Sequence, residues 1–531
     1  MENLALTSNL DILKKDIIVD RALGKEANQI LCEGDIIVPD IKPDISMILQ
    51  SDAQLVIDKL EPSTDRVSVV GKLQVSVLYL AKTADTPIHS LTHSYTIDDF
   101  MNVEGLTKEA LVDLRHDIEA LEFSIVNDRK ISYRGVVNLR LSSVVADHRE
   151  AVVEVVGLPL SQQQQDTIHL SKTLASRSER FVIKTGLDVP SGKPNISEIL
   201  STTFDIRNKN VRAVDGRVQV TGELNVTVLY RSDTADQLLD FFEFDEPFTS
   251  SVDMDEATED MFADANLRIV DKYVQVLPND DGEDRLVVAE ATLVLDARVG
   301  TKQAISYLRD AYSTTEDLQL DTVTVSYPRF IARNKNQATV KEIVTFPSGL
   351  PPIMQVYRVK SKAHLLEAKL NKDKVVVEGH LAVDIIYVAK DDTVPLFSHQ
   401  ASIPYRQVVE TIGAEPDMDV VTDLSVDGVH FNLLSETEVE VRATVSIHTT
   451  VTQQLQASLV RHLECVAMDP DFIDNQASIT VYVVTKGETL WQIAKRYYTT
   501  VEELLTLNDM ANPEHLVSGQ KLIILKGHSP H

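Results

Sequence analysis

The sequence predicts a multidomain, mainly-β protein: three tandem sandwich-like repeats followed by a small βααβ module. Three observations lead there. Two unrelated motifs recur three times in step along the chain. Alternating apolar positions, the mark of a strand with one buried face, dominate every copy. The last ~45 residues change character, placing two helix-capping patterns between two short apolar runs.

The first motif is Val38-Pro39-Asp40-Ile41-Lys42-Pro43-Asp44-Ile45. It returns as Val189-Pro190-Ser191-Gly192-Lys193-Pro194-Asn195-Ile196 and as Phe346-Pro347-Ser348-Gly349-Leu350-Pro351-Pro352-Ile353. Successive copies lie 151 and then 157 residues apart. The second motif keeps the same offsets: Gly71 to Tyr79, Gly222 to Tyr230 and Gly379 to Tyr387, each a Gly-x-Leu-x-Val-x-[Val/Ile]-[Leu/Ile]-Tyr strand. Alternating runs at Val136–Leu141, Ala291–Leu295 and Val439–Val445 close the copies. A unit of ~150 residues buries its own core, so the chain reads as an array of domains rather than a short-period solenoid. The expected bounds are 1–163, 164–317 and 318–474 for the repeats and 479–526 for the terminal module. Linkers are expected near Gln162–Gln165, Ser313–Asp317 and Asp471–Gln476. Short helices are expected at Ile45–Leu49 and its copies and at Lys108–Ala120. Each proline fixes φ and lacks a donor, which suits the end of a strand and the start of a turn. The tyrosines closing the second motif read as cross-strand packing rather than chemistry.

The chain has 531 residues, 43% apolar and 25% charged, with a formal net charge of −30. Nearly all of that acidity lies upstream of the terminal module. Such a surface repels nucleic acid and anionic membrane and favours solubility or a basic partner. Two cysteines, Cys32 and Cys465, provide neither a disulfide framework nor a zinc pattern. The first residues hold acids and lack the basic and apolar regions of a signal peptide. No apolar run approaches the ~20 residues of a membrane span.

In the terminal module, Val481–Val484 reads as a strand turning at Lys486-Gly487. Thr489 with Gln492, and Thr500 with Glu503, form capping boxes. Leu490, Ile493, Ala494 and Tyr497 make one buried helical stripe; Val501, Leu504 and Leu505 make the next. Asn508 is placed to stop the second helix in a left-handed conformation. Leu522–Leu525 reads as the closing strand.

The run Tyr482-Val483-Val484, Gly487-Glu488-Thr489-Leu490-Trp491-Gln492-Ile493-Ala494, Tyr497, Leu504, Asn508, Pro513, Val517 and Gly519-Gln520-Lys521-Leu522 resembles a LysM domain. That resemblance implies a βααβ fold and a groove for N-acetylglucosamine-containing glycans such as peptidoglycan. Carried over by position, the groove would use Gly487, Glu488, Thr489 and Leu490 on one side and Asp509, Met510, Asn512, Pro513 and Leu516 on the other. Glu488 departs from the family's usual Asp, and Leu525 stands where Pro is usual. A second surface is read from helical geometry. Trp491 is turned roughly 100° from the buried stripe, and Lys495 and Tyr498 follow it at four and seven residues. A Trp–Lys–Tyr flank suits a protein interface, though Trp491 could equally cover the edge of a small core.

The repeats followed by a LysM module resemble the SipL-type morphogenetic proteins of the clostridial spore coat, built from SPOCS domains. This resemblance implies a non-enzymatic scaffold in the mother-cell cytosol at the forespore surface. It would contact a SpoIVA-type coat ATPase and other coat proteins, with LysM serving protein–protein contact. The alternative is a wall protein tethered to peptidoglycan through LysM. No catalytic constellation, metal site or cofactor motif is found. Gly192-Lys193 is followed by Pro194 where a phosphate loop needs Ser or Thr, and His462 with Cys465 supplies only two ligands.

Overall fold

The computed structural model describes residues 11–525 apart from 83–86, 158–159, 235–238, 391–393, 467–476 and 511–515. Each repeat has six strands. The first holds β1 (Asp11–Ile37), β2 (Ile45–Ser63), β3 (Arg66–Ala81), β4 (Ile88–Asn102), β5 (Leu111–Asn127) and β6 (Lys130–Val156). The second holds β7 (Ser161–Asp188), β8 (Ile196–Val214), β9 (Arg217–Ser232), β10 (Leu239–Asp253), β11 (Phe262–Pro278) and β12 (Asp284–Ser313). The third holds β13 (Asp317–Thr345), β14 (Ile353–Asn371), β15 (Lys374–Ala389), β16 (Leu396–Glu410), β17 (Asp419–Ser435) and β18 (Glu438–Val466). In every repeat they form two antiparallel three-stranded sheets, ordered β1-β6-β5 and β2-β3-β4 in the first and likewise in the others. Period-two alternation aims Val69, Leu73 and Val75 of β3 and Val137, Leu139 and Leu141 of β6 into one shared core.

The two sequence motifs meet in space. Tyr79, Tyr230 and Tyr387 are fully buried. Their hydroxyls donate to the carbonyls of Pro43, Pro194 and Pro351 at 3.0, 3.0 and 3.1 Å. Each strand motif therefore ties down its own proline loop, and burial pushes Tyr79 up to about 12. The glycine opening the strand motif is required by close approach. A Cβ on Gly71 would sit 2.4 Å from the Val56 carbonyl, and one on Gly379 would sit 2.3 Å from that of His364.

Some local expectations are corrected. Ile45–Leu49 lies in strand β2, not a helix. Bulges at Ile45/Met47 and Ile48/Gln50 insert extra residues, and the spacing of Ile45, Ile48 and Leu49 then mimics a helical stripe. Lys108–Ala110 belongs to a turn, and from Leu111 the chain is strand β5. Gln162–Gln165 is no linker but the start of β7, paired with β12. The Gln163 side chain there bonds both the N–H and the carbonyl of Val155 in the first repeat. Only 314–316 separates β12 from β13, and Asp471–Gln476 lies outside the described residues.

The repeats close on one another head to tail. Ile17, Val19 and Ala151 of the first, Ile168, Leu170, Ile305 and Tyr307 of the second, and Val325, Tyr327, Ala457 and Leu459 of the third form one buried hub. Val152, Leu308 and Val460 meet in another, together with Val155, Ala311 and Leu463. Every pair of repeats is also joined by polar contacts. Arg268 donates to the Ile57 carbonyl at 2.7 Å, Arg358 to the Thr203 hydroxyl at 2.9 Å, and Lys360 pairs with Asp52 at 2.9 Å. Heterologous contacts that return to their start make a closed ring; here one chain supplies all three members.

Candidate functional site

The terminal module follows the ring as β19 (Ile479–Val483), α1 (Leu490–Tyr497), α2 (Val501–Leu507) and β20 (Lys521–Leu525). The strands pair antiparallel with Val481 opposite Ile523. Leu490, Ile493, Ala494, Leu504, Leu522 and Ile524 fill the core. Both capping boxes are present. The Thr489 hydroxyl accepts from Gln492 N–H at 3.2 Å while the Gln492 side chain accepts from Thr489 N–H at 3.0 Å. Thr500 and Glu503 repeat the exchange at 3.0 and 3.1 Å. Asn508 ends α2 differently from expectation. Its φ is −108°, not left-handed; Asp509 takes the left-handed step at φ 50°. Asn508 instead uses its side chain to hold both the N–H and the carbonyl of Ile523, at 2.7 and 2.9 Å. That ties α2 to the edge of β20.

The groove residues fall into different environments. Gly487 is left-handed at φ 87°, Thr489 is occupied as a helix cap, and Leu490 is buried in the core. Glu488 is held within the module. Its carboxylate accepts from Thr485 N–H at 2.9 Å and from the Tyr482 hydroxyl at 2.7 Å, and pairs with Arg496 at 3.0 Å. The Thr485 backbone bond, then the Tyr482 bond, hold its pKa down at about 2. Asp509 is exposed, while Met510 and Leu516 are half-buried against the core. Asn512 and Pro513 lie outside the described residues.

The Trp491 flank is in contact with the second repeat. Trp491 Nε1–H donates to Asp310 Oδ2 at 2.7 Å. Lys495 pairs with the other oxygen of the same carboxylate. Tyr312 meets the Trp491 ring edge-on at 4.9 Å and 75°, and its hydroxyl donates to the Thr499 carbonyl at 3.0 Å. Tyr498 caps α1 in the left-handed conformation, φ 53°; burial, and a hydrogen bond to Asp317, push its hydroxyl pKa up. The three flank residues thus face one stretch, 310–317.

Asp310 and Tyr312 were not singled out by sequence reasoning. A β-bulge places them: pairing slips between Leu308 and Asp310, leaving Arg309 as the extra residue. The same slip occurs at Val153 in β6 and Arg461 in β18. The positions matching Asp310 and Tyr312 are therefore Glu154 and Val156 in the first repeat and His462 and Glu464 in the third. Only the second repeat offers a carboxylate and an aromatic ring two residues apart, a signal visible once the repeats are aligned on their bulges.

Elsewhere the charged candidates are paired. Lys193 is bound to buried Asp240 at 2.6 Å, His462 pairs with Glu464 at 3.2 Å, and Cys465 faces Glu316. A polar cavity of about 790 Å³ lies between the repeats, lined by Asp52, Thr203, Asp205, Lys272 and Arg358 among others. Within it Arg358 approaches both Asp52 and Asp205, and Lys272 reaches Gln54. Among the described residues no cluster of three or more His, Cys, Asp or Glu could hold a metal, and no helix is long and apolar enough to cross a membrane.

The family described as SipL, SPOCS domain, matches residues 44–126, 195–277 and 352–434. The LysM domain matches residues 482–525. No curated protein and no solved structure matches the chain. Each SPOCS match spans the strands from β2 to β5 or their equivalents; the long strands that build the hubs lie outside it. Both are non-catalytic domain families, one associated with sporulation and the other of a peptidoglycan-binding type. The chain carries three SipL-family SPOCS domains in tandem followed by a LysM domain.

Proposed function

We propose that the protein is a non-enzymatic adaptor of spore-coat assembly. The ring of SPOCS domains is the scaffold and LysM the contact to a protein partner, a SpoIVA-type coat ATPase, in the mother-cell cytosol at the forespore surface. The observation that carries this reading is the division of labour within LysM. Glu488, which the LysM resemblance assigns to one side of a glycan groove, is spent on Thr485, Tyr482 and Arg496, while Trp491 and Lys495 already form a contact between protein surfaces. The acidic ring suits further basic coat components.

The second reading, peptidoglycan binding through the groove, is supported by the LysM match itself. One experiment separates them: the full chain is tested for sedimentation with purified peptidoglycan and for capture by the purified coat ATPase. Capture by the ATPase without sedimentation is expected. Sedimentation with peptidoglycan and no capture would replace the adaptor reading with the wall-tether reading.

A further inference from the structure

The Trp491 flank is an occupied recognition surface. Its occupant is the end of β12, which presents the Asp310 carboxylate to Trp491 and Lys495 and the Tyr312 ring to the face beside them. Neither other repeat could substitute, because their matching positions carry Glu154 with Val156 and His462 with Glu464.

Among the described residues, the module supplies all of its buried core cluster except Tyr312, which the ring contributes. The ion pair is part-solvated, with side-chain exposures of 25% for Asp310 and 36% for Lys495, so its contribution is modest. The contact joins one inserted ring, the bonds of Trp491 to Asp310 and of Tyr312 to Thr499, the Tyr498–Asp317 interaction and one part-solvated ion pair, and contacts between domains of one chain resemble transient protein–protein contacts more than permanent ones.

We infer that this flank recognises a carboxylate placed beside an aromatic ring, and that the second repeat is an internal competitor which an external acidic–aromatic protein segment displaces. The inference rests on the adaptor reading and names its partner's chemistry. A competitor on the same chain acts at high effective concentration. A latch closed in about 90–99% of molecules lowers an external partner's apparent affinity by roughly ten- to hundredfold.

Trp491 is the only tryptophan in the chain, so its emission reports the latch. The test uses the full chain, its Asp310→Lys and Tyr312→Ala variants, and the exchanged pair Asp310→Lys with Lys495→Asp. The probe is a fluorescein-labelled peptide of residues 306–316. Asp310→Lys is expected to expose Trp491 to acrylamide and to bind the peptide ten- to hundredfold more tightly than the parent chain. The exchanged pair restores the ion pair but not the acceptor of the Trp491 N–H, because an ammonium only donates, so it is expected to restore shielding in part. Trp491 equally shielded in the parent, Asp310→Lys and Tyr312→Ala chains would overturn the latch. An exposed Trp491 with no gain in peptide binding would overturn the recognition chemistry. The coat ATPase separates the two readings. Equal ATPase capture by the parent and Asp310→Lys chains, with Trp491 shielded in both, defeats the latch and leaves the adaptor standing. Peptide binding by the opened chain without ATPase capture does the reverse.

Discussion

The second and third repeats hold the same proline loop by opposite chemistry. In the second, Lys193 precedes Pro194 and reaches Asp240, which stands opposite Tyr230 in the sheet and is 2% exposed. In the third, Leu350 precedes Pro351, Phe397 stands opposite Tyr387, and both pack on the apolar core. The backbone turn is unchanged: Lys193 N–H reaches the Pro190 carbonyl at 3.2 Å, and Leu350 N–H reaches that of Pro347 at 3.0 Å. An arginine adds to the contrast. Arg285 donates to the carbonyls of Val189 and Lys193 at 3.0 and 2.9 Å, and Arg129 does the same in the first repeat with Val38 and Lys42. In the third repeat Thr437 takes that position, and Phe346 fills the space beside Tyr387 at 5.2 Å. The loop's geometry is therefore a property of the fold, and its polarity is free to change only when several positions change together.

The largest test removes half of the polar solution. Lys193→Ala leaves Asp240 buried without its cation, a loss of about 3 kcal/mol. Its backbone bond from Phe241 N–H at 2.7 Å offsets part of the desolvation. Transplanting the other solution, Lys193→Leu with Asp240→Phe, is expected to stay within about 1 kcal/mol of the parent, because a buried ion pair exchanged for packed apolar groups is often neutral. Denaturant midpoints of the full chain, read by far-ultraviolet circular dichroism, measure both; the lone tryptophan reports LysM instead. A double variant as damaged as Lys193→Ala would break the equivalence of the two loops.

These contrasts also show what a single sequence can reveal. The offsets of the prolines and tyrosines located the repeats because a fold reused three times leaves the same residues at the same spacing. The capping boxes at Thr489 and Thr500 were legible because they are local exchanges over three residues. Ile45–Leu49 misled because two bulges erased its period of two. Gln162–Gln165 misled because a polar run looks like a linker, whereas here amide side chains extend a strand's pairing to its neighbour. Asn508 misled because its side chain, rather than its backbone, does the stapling. Trp491, Lys495 and Tyr498 were legible as a shared flank, but not its neighbours Asp310 and Tyr312. No local pattern links residues some 180 positions apart in different domains.

The arginines give a middle-sized effect. Arg129→Ala and Arg285→Ala each remove charge-assisted bonds to loop carbonyls, at about 1–2 kcal/mol because the Arg129 side chain is 35% exposed. Thr437→Ala, the matching change in the third repeat, is expected to lie within about 0.5 kcal/mol of the parent. Hydrogen exchange separates these locally: Lys42 and Lys193 amides speed up in their own variants, and the Leu350 amide stays protected in Thr437→Ala. Faster exchange at Leu350 in that variant would show the third loop to depend on a polar clasp after all.

The smallest expected effect is the one the repeats should share. Tyr79→Phe, Tyr230→Phe and Tyr387→Phe each delete one hydroxyl and leave a proline carbonyl short of a donor, at about 1 kcal/mol. The ring remains in place, so packing is not at issue. Because the three hydroxyl-to-carbonyl distances agree within 0.1 Å, the three costs should agree even though the surrounding loops do not. A Tyr387→Phe variant as stable as the parent, beside a weakened Tyr230→Phe, would mean that the apolar loop holds itself and that its hydroxyl is a relic of the polar design. Equal losses would instead identify this bond as the element of the repeat that tolerates no substitute, whatever chemistry surrounds it.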